Sequence, residues 1–245
     1  MATREDGPLL LVTCEHGGNR IPADLAPFFR HMRRRLTSHR GYDPGALVMA
    51  RALTHALKAP LVASTTSRLV IDLNRSLDNA GVWSEVTRSL PPETRERIVR
   101  RLYVPYRRKA EAVVAAAREV RRPLVHFSSH SFTPVLGGKR RRADVGLLYD
   151  PSRPGEAKLC AAIKAALHAQ APWLHVRRNY PYAGKSDGLV TWLRSRYAPR
   201  EYVGVEVELN QAIVGREPRE WRWLRETLVT AIMQSVGDPR TAFSR

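Results

Sequence analysis

Cysteine is nearly absent from this chain. Cys14 and Cys160 are its only two, too few for a disulfide framework and suited to a reducing compartment where thiols stay free. Long apolar runs are missing too: no stretch approaches the about 18 consecutive apolar residues of a membrane-spanning helix. The opening Met1-Ala-Thr-Arg-Glu-Asp-Gly-Pro has no basic segment leading into an apolar one, so it does not read as a signal peptide. The expectation is a soluble, cytoplasmic protein. Repeats, low-complexity tracts and Gly/Ser linkers are lacking as well, which favours one domain over 1–245. With 43% hydrophobic residues, the chain can bury a sizeable core.

Acidic residues are in short supply: 23 Asp and Glu face 41 Lys and Arg, a net charge of +18. Two basic clusters stand out, Arg30-His-Met-Arg-Arg-Arg and Lys139-Arg-Arg-Arg. A positive field attracts polyanions, and it also steers small anionic substrates. No zinc-finger spacing or RNP-type aromatic motif is present, and the clusters are not interleaved with stacking aromatics. Solvated basic faces are therefore the expectation, with a non-catalytic nucleic-acid-binding protein as the runner-up.

Short apolar runs alternate with longer amphipathic ones. Strands are predicted at Leu9–Thr13, Leu61–Ala63, Leu69–Asp72, Leu124–Phe127, Val145–Tyr149, His175–Arg177 and Tyr202–Leu209. Helices are predicted over 23–36, 44–58, 92–119, 155–169, 187–198 and 217–235. This alternation implies an α/β fold whose mostly parallel or mixed sheet is covered on both faces. In such sheets ligands bind beyond the carboxyl ends of the strands.

Candidate groups stand at those ends. Cys14-Glu15-His16-Gly17-Gly18 follows the first strand, Asp72-Leu-Asn74-Arg75 the third, His126-Phe-Ser-Ser-His130 a central one, and Glu206-Val-Glu208-Leu-Asn210 lies on the last. A catalytic zinc needs three or four N, O or S ligands and an open position. His16 and His130, each near a strand end, point to such a site. Glu206 and Glu208, at i and i+2, share one strand face, and a buried carboxylate pair needs a cation. His126 reads as structural. His39 reads as an outer partner of a ligand. A Cys14 nucleophile stays open, although a cysteine buried after a strand is more often inert. His-Glu-x-x-His and Gly-x-Ser-x-Gly are absent, and Gly184-Lys185-Ser186 lacks the upstream glycine of a phosphate loop, since Asn179 stands there.

The run Val12-Thr-Cys-Glu-His-Gly-Gly-Asn-Arg-Ile-Pro22 resembles the opening motif of the N-formylglutamate amidohydrolase family. So do His39-Arg-Gly-Tyr-Asp43-Pro-Gly-Ala46, Ser67-Arg-Leu-Val-Ile-Asp-Leu-Asn-Arg75, His130-Ser-Phe-Thr-Pro134, Asn179-Tyr-Pro-Tyr182 and Glu208-Leu-Asn-Gln211. The six segments keep family order from residue 10 to about 212. The resemblance extends to the zinc carboxypeptidase and aspartoacylase group. It implies a phosphorylase/hydrolase-like three-layer α/β sandwich with a mixed central sheet.

The resemblance also implies roles. His16 and His130 match zinc-ligand histidines, Arg68 an arginine that polarises the scissile carbonyl, and Asn74 with Arg75 the pair that holds a substrate carboxylate. Glu208 falls at the catalytic glutamate, and Tyr182 is a candidate substrate contact. Where the wider group has a glutamate ligand three residues after the first histidine, this chain has Asn19. The third ligand is then Asp43 by first choice, Glu15 by second, or water. An aspartate before Pro-Gly at a helix start is otherwise an N-cap. The activity implied is zinc-dependent removal of an acyl group from an N-formyl amino acid such as N-formylglutamate. A peptide or another N-acyl substrate is the alternative within the same fold.

Overall fold

The computed structural model describes residues 7–237, so the reading of the N-terminal segment before Gly7 lies outside the described residues. Runs of apolar residues become strands β1 (Leu9–Cys14), β2 (Leu61–Ala63), β3 (Leu124–Phe132), β4 (Val135–Leu136), β5 (Lys139–Arg140), β6 (Val145–Leu148), β7 (Val176–Arg178) and β8 (Tyr202–Asn210). Six form one sheet in the order β2-β1-β3-β8-β6-β7. The first four are mutually parallel, β6 runs antiparallel to β8, and β7 runs parallel to β6. The sheet is mixed, as expected. Strands β4 and β5 form a separate hairpin whose turn residues Gly137 and Gly138 both have positive φ, a conformation glycine adopts without a Cβ penalty.

The helices, in chain order, are α1 (Arg33–Leu36), α2 (Ala46–Leu57), α3 (Glu85–Arg88), α4 (Pro92–Ile98), α5 (Val104–Glu119), α6 (Pro154–Gln170), α7 (Leu189–Arg194), α8 (Gln211–Val214) and α9 (Pro218–Gly237). Side chains alternate across a strand, so the sheet divides two apolar clusters. Val12, Phe127, Val205 and Val207 face α2, α6 and α9. Leu11, Leu124 and Tyr202 face α5 and α7. Helices on both faces of the sheet complete the three-layer sandwich.

Several sequence expectations shift. Leu69–Asp72 is a turn, not a strand: the Val70 amide donates to the Ser67 carbonyl and the Leu69 amide to Ser67 Oγ, so its donors are spent locally. Over 23–36, a 3-10 stretch at Ala26–Met32 precedes the short α1. The helix expected over 92–119 carries a wide π turn at Val99–Tyr103 between α4 and α5. Pro105 explains it, because its ring cannot donate to the fourth carbonyl back and clashes with it in a regular helix. Strand β3 continues to Phe132, which places His130 inside the strand rather than after it.

That continuation positions the site. β3 and β8 are buried along all nine residues of each. Their register sets Ser128 beside Glu206 and His130 beside Glu208. The same parity carries Thr13, beside Ser128, and then Glu15 past the tip of β1. Polar side chains thus form a buried ladder on the α5 face, at the carboxyl ends of β1, β3 and β8.

Candidate active site

His16 leaves the tip of β1 in a segment pinned on both sides. Its carbonyl accepts the Asp43 amide at 2.9 Å, and the Gly17 amide donates to the Ser64 carbonyl at 3.0 Å. Gly18 lies so close to the end of β2 that a Cβ there would sit 2.6 Å from the Thr65 carbonyl oxygen. The double glycine lets the backbone lie against the end of β2 while His16 stays over the sheet edge.

Asp43 stands between the two histidines. Its Oδ2 lies 3.3 Å from His16 Nδ1 and 3.0 Å from His130 Nδ1, with all three residues buried. It does not act as an N-cap: α2 begins after Gly45, with no side-chain cap. Each histidine also places its outer nitrogen on a carboxylate. His16 Nε2 is 2.7 Å from Asp72 Oδ1, and His130 Nε2 is 3.0 Å from Glu15 Oε2. Arg68 holds Asp72 in turn, with Nη2 2.6 Å from Oδ2, and reaches Asp43 Oδ1 at 3.4 Å.

Electrostatics follow from this layout. Burial alone would raise the Asp43 and Asp72 carboxyls, but both histidines with Arg68 hold Asp43, and Arg68 with His16 hold Asp72, well below the usual carboxylate range. Glu15 is likewise held low, against burial, by His130 and by the Ser128 and Thr13 hydroxyls. Burial lowers the histidines, yet these carboxylates raise both above the ordinary value. Glu208 goes the other way. Burial pushes it up to about 8, His130 opposes the rise, and Asp43 and Glu206 add to it. Its Oε2 is buried with no hydrogen-bond partner among the described residues.

These residues fit a divalent metal. Among the described residues, His16, Asp43 and His130 offer three donor atoms within 4.8 Å of one another. The nitrogens nearest Asp43 are both Nδ1, while the Nε2 atoms sit on carboxylates, the outer arrangement that fixes tautomer and ring orientation in metal-ligating histidines. Without a cation, the buried carboxylates strengthen the hold of both histidines on protons. A metal would take the place of those protons.

The other expected residues divide between the centre and its rim. Asn74 reaches the centre: Nδ2 is 3.4 Å from both His130 Nε2 and Glu206 Oε2, and Oδ1 accepts the Leu189 amide at 2.7 Å. Arg75 is directed to the 187 loop, donating to the Asp187 carbonyl at 2.8 Å. Tyr182 lies at the surface, where its hydroxyl accepts from Arg141 Nη1 at 3.1 Å. His39 lies outside the three-donor group, half-buried among Arg40, Arg68 and Arg141, and its pKa falls. His126 is locked deeper, 2.8 Å from Thr13 Oγ1 and 2.7 Å from the Tyr202 hydroxyl, and burial lowers it to about 4. Cys14 belongs to the opposite apolar cluster, where burial pushes its thiol up. That is the state of an inert cysteine, not a nucleophile.

Sequence reasoning missed the part played by Asp72. The available signal was the rule that a ligand histidine pairs its second nitrogen with a carboxylate, together with the Arg68–Asp72 spacing. Glu15, the second-choice ligand beside His16, stands instead against the other histidine. Extended neighbours point apart.

Comparison with known proteins shows the family. The sequence profile of the N-formylglutamate amidohydrolase family matches residues 9–214. No protein of curated function matches the chain. Among solved structures, the gene product Atu2144 of Agrobacterium tumefaciens is 29% identical, with a TM-score of 0.76 over 93% of this chain and 91% of that one. The N-formylglutamate amidohydrolase of Ralstonia eutropha is 20% identical and shares the fold, with a TM-score of 0.73 over 95% of this chain and 94% of the other. No helix among the described residues is long and apolar enough to cross a membrane. The chain belongs to the N-formylglutamate amidohydrolase family, whose members are amidohydrolases of small-molecule amides.

Proposed function

We propose that this protein is a zinc-dependent amidohydrolase that removes the acyl group from an N-formyl amino acid such as N-formylglutamate, acting in the cytoplasm as a single catalytic domain over 1–245. The observation that carries the reading is the convergence of His16 Nδ1, Asp43 Oδ2 and His130 Nδ1 on the sheet face that also bears the unpartnered Glu208. In this reading His16, Asp43 and His130 hold the metal. Zinc bound there supplies Lewis acidity to a carbonyl oxygen and to water.

The chain's own groups do the rest. Glu208, whose carboxyl pKa burial raises in the metal-free protein and a cation at the site would lower, takes a proton from the attacking water in its ionised form and delivers it to the leaving amine nitrogen. The C–N bond breaks as the water oxygen joins the acyl carbon, giving formate and a free amino acid. Arg68 stabilises negative charge on the acyl oxygen with the guanidinium donors left over from Asp72 and Asp43. Asn74 orients the substrate from within the centre. Arg75 and Tyr182 meet its carboxylates from the rim.

The test combines metal content by mass spectrometry with formate release from N-formyl-L-glutamate, for the wild type and the His16→Ala and His130→Ala variants. Near-stoichiometric zinc and turnover in the wild type, both lost in each variant, are expected. Protein that takes up no metal at neutral pH and releases no formate would sink the reading and bring forward the non-catalytic binding protein. Metal-dependent turnover of N-acetyl or N-succinyl amino acids, or of a peptide, in place of the formyl compound would reassign the acyl group alone.

A further inference from the structure

The edge of the sheet that carries the site has a second half. Strands β6 and β7 run against the other four, so the carboxyl tips of β3 and β8 lie beside the segments that lead into β6 and β7. Over that half lies a groove of about 950 Å3. Arg140, Arg141 and Arg142, at the exit of the β4–β5 hairpin, form one wall, and Trp173 and Trp223 line another.

The tryptophans stack on each other, with ring centroids 5.8 Å apart and planes 18° apart, yet they remain 64% and 40% exposed. The three arginines form no ion pair with a carboxylate among the described residues. Arg141, however, is half-buried, donates to the Tyr182 hydroxyl and lies over the Phe132 and Tyr182 rings, so Arg140 and Arg142 are the exposed guanidiniums. The two acids of the groove are already engaged. Asp144 Oδ2 accepts the His175 amide at 2.8 Å, and Glu220 lies 3.5 Å from Arg216. What remains is a concave surface on which the exposed Arg140 and Arg142 stand beside an open aromatic stack. In sequence the Lys139–Arg142 cluster has no aromatic neighbours, and the fold supplies them from two distant segments.

We infer that this groove binds single-stranded nucleic acid, with bases extending the Trp173–Trp223 stack and phosphates meeting Arg140 and Arg142. The pairing of flat π faces with unpaired cations matches a ligand that joins planar rings to phosphates, and such platforms tolerate sequence. A concave wall places the rings to receive a strand. An anionic membrane would instead be met by apolar groups on a convex surface. The chain's net charge of +18 adds long-range attraction to the same ligand.

The experiment is fluorescence anisotropy of the full chain with labelled oligothymidylate and oligoadenylate of about 15 nucleotides, a length that one such groove spans. The double variant Arg140→Glu/Arg142→Glu should weaken binding at least about 10-fold and lower the slope of log affinity against log salt by about 1.4, for two phosphate contacts at ~0.7 each. Trp173→Ala and Trp223→Ala should each weaken binding several-fold and leave that slope unchanged. Arg33→Glu/Arg34→Glu, in the other basic cluster, should change affinity by less than about two-fold, since diffuse charge is screened over distance. Melting temperature and formate release report that each variant is folded. An equal loss in the Arg33/Arg34 variant, silence of both tryptophan variants, or binding to phosphatidylserine vesicles without binding to either oligonucleotide would overturn the assignment.

Discussion

Two clusters that combine carboxylates with cations lie buried among the described residues, and they are finished differently. The first packs beside α6 and α7. Glu156 accepts Arg194 Nε at 2.9 Å, the Gly204 amide at 3.1 Å and the Asp150 amide at 2.8 Å. Arg194 also donates to the Gly204 carbonyl, and Arg153 donates to the carbonyls of Tyr202, Arg194 and Tyr197. One carboxylate pairs with one guanidinium, Arg153 spends its donors on carbonyls, and backbone groups close the remaining positions. The second group, at the sheet edge, holds Glu15, Asp43, Asp72, Glu206 and Glu208 against Arg68 and two histidines. Its acids exceed its permanent cations, and Glu208 Oε2 is left open. A buried network is stable when every member is satisfied. The first has reached that condition by itself, while the second reaches it only with a cation and a substrate. Closure marks a structural cluster here, and incompleteness marks the functional one.

The largest effect should come from the open cluster. Glu208→Gln keeps shape and removes the base, so formate release should fall by roughly 10³-fold, the scale of general acid–base catalysis. Zinc content should stay near that of the wild type, since Glu208 is outside the three-donor group. Steady-state kinetics alongside metal analysis check this, and near-normal turnover would overturn the role given to Glu208.

Next comes the closed cluster. Arg194→Leu strands Glu156 as an unpaired buried charge, which typically costs about 3–5 kcal/mol of stability. Urea denaturation should show that loss. The activity of the molecules that remain folded should change little, because the cluster does not touch the site. A variant with normal stability and damaged catalysis would mean that the two clusters are not separable.

A smaller effect is expected at the outer partner of His16. Asp72→Asn keeps a hydrogen-bond acceptor but drops the charge that holds the ring and the Arg68 guanidinium. Zinc affinity should weaken by about 10- to 100-fold, the usual cost of losing such a partner. Competition with a chromogenic chelator measures it. The matching change at the other histidine, Glu15→Gln, should weaken affinity by a similar factor.

How much of this was legible in the sequence depends on the kind of constraint. Alternation along Tyr202–Leu209 set Glu206 and Glu208 on one face, because a period of two is local. The pairing of His16 with His130 was readable from strand ends and family order. Which acid would face them was not. Asp43 reads locally as a helix cap, and only the Asp43 amide bond to the His16 carbonyl turns its side chain inward. The Leu69–Asp72 run looked like a strand because apolar β-branched residues carry that signal, but Ser67 supplied a competing local turn. Pro105 was visible, and a helix that widens around it in a π turn is a less common outcome than one that stops. The groove arginines and tryptophans were all visible too, and their meeting is a tertiary fact with no local signature.

The finest difference between the clusters lies in how stability depends on pH, and its sign can be worked out. In the metal-free protein Glu208 rises from the ordinary 4.5 to about 8, and Glu206 rises as well. Between those values the folded chain holds protons that the unfolded chain has released, so stability falls as pH rises. His16 and His130, also raised, act in the same sense above 6.5. Asp43, Asp72 and Glu15 are depressed; their contribution is complete above the ordinary carboxylate range and constant at neutral pH. His126, lowered to about 4, acts in the opposite sense, but only below 6.5. From pH 6.5 to 8, chelator-treated protein should therefore lose melting temperature steadily. Added zinc should reverse the trend, since its ligands bind deprotonated and affinity grows with pH. Glu208→Gln should flatten the metal-free slope partway and leave the histidine share. Differential scanning calorimetry at three pH values resolves these outcomes, and a metal-free slope that is flat or rising would mean that the sheet-edge cluster is as closed as the one around Glu156.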